Sequence, residues 1–148
     1  MPLPQALGGL DPCALADRWG LTGDLATRLV FLADRWKSLG LGALIIFSGR
    51  RSRTQQGALG RQGRPAAPFS TSTHADEDLE GCPRFSTGAD VKPATITDEP
   101  ISRAGLINAF HALAESMGLR AGGGSALDTF GNPTDWQHLD LGPRSTVP

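Results

Sequence analysis

Apolar residues recur along this chain with two different spacings. Between residues 24 and 39, Leu25, Leu29, Leu32, Trp36 and Leu39 fall at helical intervals on one face, and Gly40 follows as a stop. An earlier stretch, Leu15-Ala16-Asp17-Arg18-Trp19, recurs as Leu32-Ala33-Asp34-Arg35-Trp36. One recurrence is not a repeat architecture; it reads as chance or as two similar helices packed side by side. Ala43 to Phe47 is a compact apolar run with two isoleucines, bounded by glycine, and predicts a buried strand. Thr54 to Leu59 predicts a short helix capped by Thr54.

Residues 60 to 87 are rich in Gly, Pro, Ser and Arg and read mostly as loop. Gly88 to Val91 predicts a short strand. Ser102 is placed to cap a further amphipathic helix, with Leu106, Ile107, Phe110, Leu113, Ala114 and Met117 on its apolar face and Gly118 at its end. The glycines at 122 to 124 mark a tight turn or a close backbone approach. Gln137 to Leu141 alternates and predicts a last strand. Helices interleaved with short strands give an α+β domain. The expectation is a small antiparallel sheet with flanking helices, residues 1–40 forming a helical part and 41–142 the core.

Composition narrows the function. A chain of 148 residues suits one domain. A formal net charge of -1 gives no global field for nucleic acid or acidic lipid. The two cysteines, Cys13 and Cys82, are too few for a disulfide scaffold or a paired CxxC zinc pattern. The longest apolar run, near Leu41 to Phe47, is too short to span a bilayer. The first residues lack the basic start and apolar stretch of a secretion signal, so the expectation is a chain made in the cytoplasm.

Of the three histidines, His111 lies in the second amphipathic helix and reads as a boundary residue. His74 and His138 sit instead in polar, turn-rich context. With Asp90 they would supply two imidazoles and a carboxylate, the ligand number of a catalytic zinc that keeps one position open for water. Such an ion polarises a scissile carbonyl and lowers the pKa of its water towards ~7. Asp135 stands three residues before His138, near a metal there without being an obvious ligand. From residue types alone, two scattered histidines and an aspartate remain a weak signal.

The ordered series SGRRS (48–52), STH (72–74), TGADV (87–91), GGGS (122–125) and DWQHLDL (135–141) resembles the peptidoglycan zinc metallopeptidases. These are the D-alanyl-D-alanine carboxypeptidases and L-alanyl-D-glutamate peptidases, and the resemblance runs from about Leu44 to Leu141. It implies His74, Asp90 and His138 as Zn2+ ligands and Asp135 as general base. It implies Arg51 as the arginine that positions substrate or polarises its carbonyl, and Gln56 as a glutamine of the following helix that meets substrate. Trp136, between base and ligand, is either packing or a wall of the substrate pocket. The DxxH form with HLDL after it is more similar to the L-alanyl-D-glutamate endopeptidase branch.

The family keeps its first histidine and its aspartate within a short turn, whereas here Ala75 to Ala89 intervene. Residues 75 to 87 therefore read as an acidic surface excursion, and Asp78 is the alternative ligand at the shorter spacing. A cysteine ligand, Cys82, is a further option. The cluster Arg50, Arg51, Arg53, Arg61 and Arg64 reads as solvated loop or as a site for stem-peptide carboxylates.

The expected function is zinc-dependent hydrolysis of peptide bonds in peptidoglycan stems by a phage or prophage enzyme, with the stem peptide, and in one version virion proteins, as partners. One alternative is a tail or baseplate structural module of the same fold. Another is a D-alanyl-D-alanine carboxypeptidase of wall maintenance, which calls for a secretion signal.

Overall fold

The computed structural model describes residues 2–61, 72–78, 81–96, 99–122 and 135–142. Its elements are β1 (Gln5–Ala6), α1 (Pro12–Trp19), α2 (Gly23–Ser38), β2 (Leu44–Ser48), α3 (Arg53–Arg61), β3 (Gly88–Pro93), α4 (Pro100–Ser116), β4 (Arg120–Ala121) and β5 (His138–Asp140). The five strands form one sheet in the order β1-β2-β3-β5-β4, and each neighbouring pair is antiparallel. The architecture is α+β, as the alternation of helical and strand patterns predicts.

Local sequence sets the helix ends. Asp11 accepts hydrogen bonds from the backbone N–H groups of Cys13 and Ala14 at the start of α1, where Pro12 needs no donor. Thr22 does the same for α2 through Leu25 N. The cap of α3 is Ser52, not Thr54: Gln55 N donates to Ser52 Oγ (3.2 Å) while Ser52 N donates to Gln55 Oε1 (2.8 Å). This reciprocal pair is a capping box, Ser-x-x-Gln. Helix α4 begins at Pro100, before Ser102; Glu99 accepts from Ser102 N at 2.7 Å and so takes the capping role expected of Ser102.

The repeated Leu-x-x-x-Trp has a packing reason. Leu15 and Trp19 of α1, and Leu32 and Trp36 of α2, are all buried in one core, one helical turn apart within each pair. From α4, Ile107, Phe110 and Ala114 join them, and the Phe110 ring meets Trp36 edge-on at 5.8 Å. Truncation of either ring to alanine costs about 3–5 kcal/mol. Leu39 departs from the expected stripe: it follows the end of α2 and is 50% exposed.

The sheet has two chemically distinct faces. Leu44, Ile46, Ala89, Val91 and Leu139 enter the core. Strand side chains alternate between faces, so Gly88, Asp90 and Lys92 share the other face of β3, as His138 and Asp140 share that of β5. Cross-strand register sets Asp90 beside His138 and Gly88 beside Asp140. On β2 the register slips between Ile46, which pairs with Val91, and Ser48, which pairs with Asp90. This bulge pairs Ser48, rather than Phe47, with Asp90.

Candidate metal centre

Four segments converge at the polar end of the sheet. β3 presents Asp90 and β5 presents His138. The loop after β2 presents Arg51, and the segment 72–78 presents His74. That segment is stitched to the loop by backbone: Arg51 N donates to His74 O (2.6 Å), and Asp76 N donates to Arg51 O (2.9 Å). His74, Asp90 and His138 are all buried, and among the described residues they form a group able to hold a metal ion.

The ring nitrogens can be assigned by their outer partners. His74 Nδ1 lies 2.7 Å from the Gly49 carbonyl oxygen. A carbonyl only accepts, so Nδ1 carries the hydrogen and Nε2 of the neutral ring keeps its lone pair. His138 Nε2 lies 2.8 Å from Asp140 Oδ2, with Thr73 Oγ1 at 3.2 Å. Bonds from His138 and Arg120 hold the Asp140 carboxyl below its usual range against the opposing effect of burial, so it accepts. His138 therefore donates from Nε2 and turns the lone pair of Nδ1 inward.

Three acceptors now face one point. His74 Nε2 and His138 Nδ1 are 3.1 Å apart, and Asp90 Oδ1 is 3.3 Å from each. Ligands at about 2.0–2.1 Å from a tetrahedral ion stand about 3.3–3.4 Å from one another, so the triangle has the dimensions of one face of such a site. Without a cation the three lone pairs oppose each other. Burial disfavours charge on Asp90, yet His74, His138 and Arg51 hold its carboxyl well below the usual carboxylate range. Burial likewise disfavours the cation on His138, but hydrogen bonds to Asp140 and Asp90 push its pKa up to about 9. A metal ion bound at the triangle would have to displace any proton from the inward nitrogens.

Arg51 holds the Asp90 carboxylate. Its Nη2 donates to Asp90 Oδ2 at 2.5 Å, Nε to Ser48 Oγ at 3.0 Å and Nη1 to Gln56 Oε1 at 3.3 Å. Arg51 and Gln56 are 8% and 5% exposed, so both orient Asp90 from inside the protein. Its neighbour in the basic cluster, Arg50, stacks instead over the exposed Phe85 ring at 5.5 Å.

Gly88 gives the site its room. A Cβ there would collide with the Thr73 side chain and stand 3.0 Å from His138 Cε1. Gly49, whose carbonyl anchors His74, is hemmed in by the backbone and side chain of Trp19.

Asp135 opens the turn that leads into β5, its carbonyl accepting from His138 N at 3.1 Å. Its side chain is within electrostatic reach of His138, Asp90, His74 and Arg51. Burial raises its pKa, and the attraction of His138 offsets this only in part. Trp136 turns the other way. It is 2% exposed, meets Phe110 edge-on at 6.2 Å and carries the Arg103 guanidinium over its ring at 5.5 Å. With no free face it anchors the turn rather than walls a pocket. His111 of α4, half-buried as a boundary residue, donates to Trp136 O at 2.8 Å and ties the same turn to the helix.

Of the alternative ligands, Asp78 is exposed, its Oδ1 accepts from Cys82 N at 2.9 Å, and it is not in the group of His74, Asp90 and His138 found among the described residues. Cys82 is exposed too. The excursion itself is only partly a surface loop. Residues 78, 81–83 and 85 are exposed, but Ala75 and Ser86 at its ends are fully buried. Ser86 bridges to Leu21 in parallel register, and its Oγ donates to Thr73 O at 2.9 Å. Arg64, Glu80, Gly123 and Gly124 lie outside the described residues.

Residue patterns did not single out the outer partners Ser48, Gly49, Thr73 and Arg120. Asp140 had one signal, its position two residues after His138, which on an alternating strand shares its face.

Among the described residues no helix is long and apolar enough to cross a membrane. No protein-family model matches this chain, and no curated protein matches it in sequence.

Proposed function

We propose that the chain is a zinc-dependent peptidase acting on the stem peptides of bacterial peptidoglycan. The observation that carries the metal is the triangle of His74 Nε2, His138 Nδ1 and Asp90 Oδ1, with hydrogens directed outward by Gly49 O and Asp140. Two imidazoles and a carboxylate match the donor set of hydrolytic zinc sites, which retain an open position. Bound there, zinc would polarise a carbonyl oxygen and acidify water.

The remaining chemistry belongs to side chains of this chain. Asp135 is near the triangle but outside it, with a carboxyl whose pKa burial raises. A carboxylate so placed takes a proton from the attacking water and returns it to the nitrogen of the leaving amine. Arg51 holds Asp90 in place with Gln56 behind it. The choice of peptidoglycan rests on the resemblance of SGRRS, STH, TGADV and DWQHLDL to the wall peptidases, and the DxxH form favours cleavage between L-alanine and D-glutamate.

Purified chain loaded with zinc and incubated with peptidoglycan is expected to release new L-alanine carboxyl termini and D-glutamate amino termini, read by mass spectrometry. Loss of terminal D-alanine alone would reassign the cut to a carboxypeptidase. Zinc bound with no cleavage of any stem would leave a binding module.

A further inference from the structure

Behind His138 lies a second layer of side chains that supplies none of the three inward atoms. Asp140 is fully buried, and each of its oxygens serves two donors. Oδ1 accepts from Arg120 Nε (2.9 Å) and Gly142 N (2.8 Å). Oδ2 accepts from Arg120 Nη2 (2.7 Å) and His138 Nε2 (2.8 Å). Arg120 sits directly across the ladder from Asp140, on the two-residue strand β4. The forked grip of the guanidinium fixes the carboxylate plane, because both oxygens are held by one rigid group. Its side chain is 47% exposed, so the chain Arg120–Asp140–His138 runs from half-open surface to the metal triangle.

We propose that Arg120 and Asp140 are positioning residues for the metal, acting through His138. The carboxylate holds the hydrogen on Nε2, which leaves Nδ1 as the inward nitrogen and stops the ring from rotating. Arg120 in turn keeps Oδ2 where His138 needs it. This rests on the zinc reading above. Asp140 is buried, so withdrawing Arg120 also costs stability; the positioning role is read from metal affinity and coordination geometry on folded protein.

The test uses metal-free chain and needs no turnover. Zn2+ affinity is measured by competition with a chromophoric chelator, and the ligand-field spectrum of Co2+ reports coordination geometry. Asp140→Asn is expected to bind Zn2+ about 10–100-fold more weakly, the usual cost of losing an outer partner of a ligand histidine, with a changed Co2+ spectrum. Arg120→Gln is expected to show a smaller loss in the same direction, with Arg120→Lys recovering part of it. Should Asp140→Asn fail to fold, the two half-exposed Arg120 variants decide. Equal affinity and identical spectra across the folded variants and the unaltered chain would overturn the positioning role and leave the zinc site standing. An unaltered chain that binds neither ion would overturn the zinc site and this role together.

Discussion

Asp135→Asn is expected to lower peptidoglycan turnover by roughly 10²–10⁴-fold, the usual worth of a positioned acid–base group, while zinc stays bound and the chain stays folded. The asparagine keeps size and shape but accepts no proton. The three inward atoms come from His74, Asp90 and His138, and Asp135 supplies none of them. Zinc content, thermal midpoint and the rate of stem cleavage should be read on one preparation. Full hydrolysis by this variant would show that the base has been misassigned. Asp140 is not its replacement: its oxygens are occupied by Arg120, Gly142 and the outward nitrogen of His138.

His138→Ala is expected to remove both metal and activity. It deletes one of the three inward atoms and leaves Asp140 buried with Arg120 and the Gly142 N–H as its remaining partners. Its loss of zinc affinity should exceed the roughly 10–100-fold cost of an outer-partner change. Equilibrium dialysis against zinc, with the same measurement on Asp135→Asn, separates the two roles. Retention of zinc by His138→Ala at unaltered affinity would place the ion elsewhere.

Much of this arrangement was legible in the sequence, for identifiable reasons. The 3.6-residue spacing of Leu25, Leu29, Leu32 and Trp36 located α2 to within a residue at each end. The repeated Leu-x-x-x-Trp left chance and paired helices both open; it belongs to two helices that bury the same two side chains in one core. The polar contexts of His74 and His138 marked them out, and the family-like series ordered them with Asp90.

Other features were hidden because they depend on register or on distant backbone. The slip between Ile46 and Ser48 sets Ser48 beside Asp90, and no alternation in LIIFS records it. Hydrogen bonding to Gly49 O fixes the inward nitrogen of His74, yet the two residues are 25 apart in the chain. Trp136 lies beside the site in sequence but is buried in the core. The Ser52–Gln55 capping box is a readable local signal that lies two residues before the expected cap, Thr54.

The central claim is that His74, Asp90 and His138 together hold one zinc ion. The most direct measurement is zinc X-ray absorption on the purified, zinc-loaded chain, with metal content determined on the same sample. One zinc per chain is expected, coordinated by two imidazole nitrogens at about 2.0–2.1 Å and otherwise by oxygen, with no sulfur. A sulfur shell at about 2.3 Å, a single imidazole, or no stoichiometric zinc would contradict it.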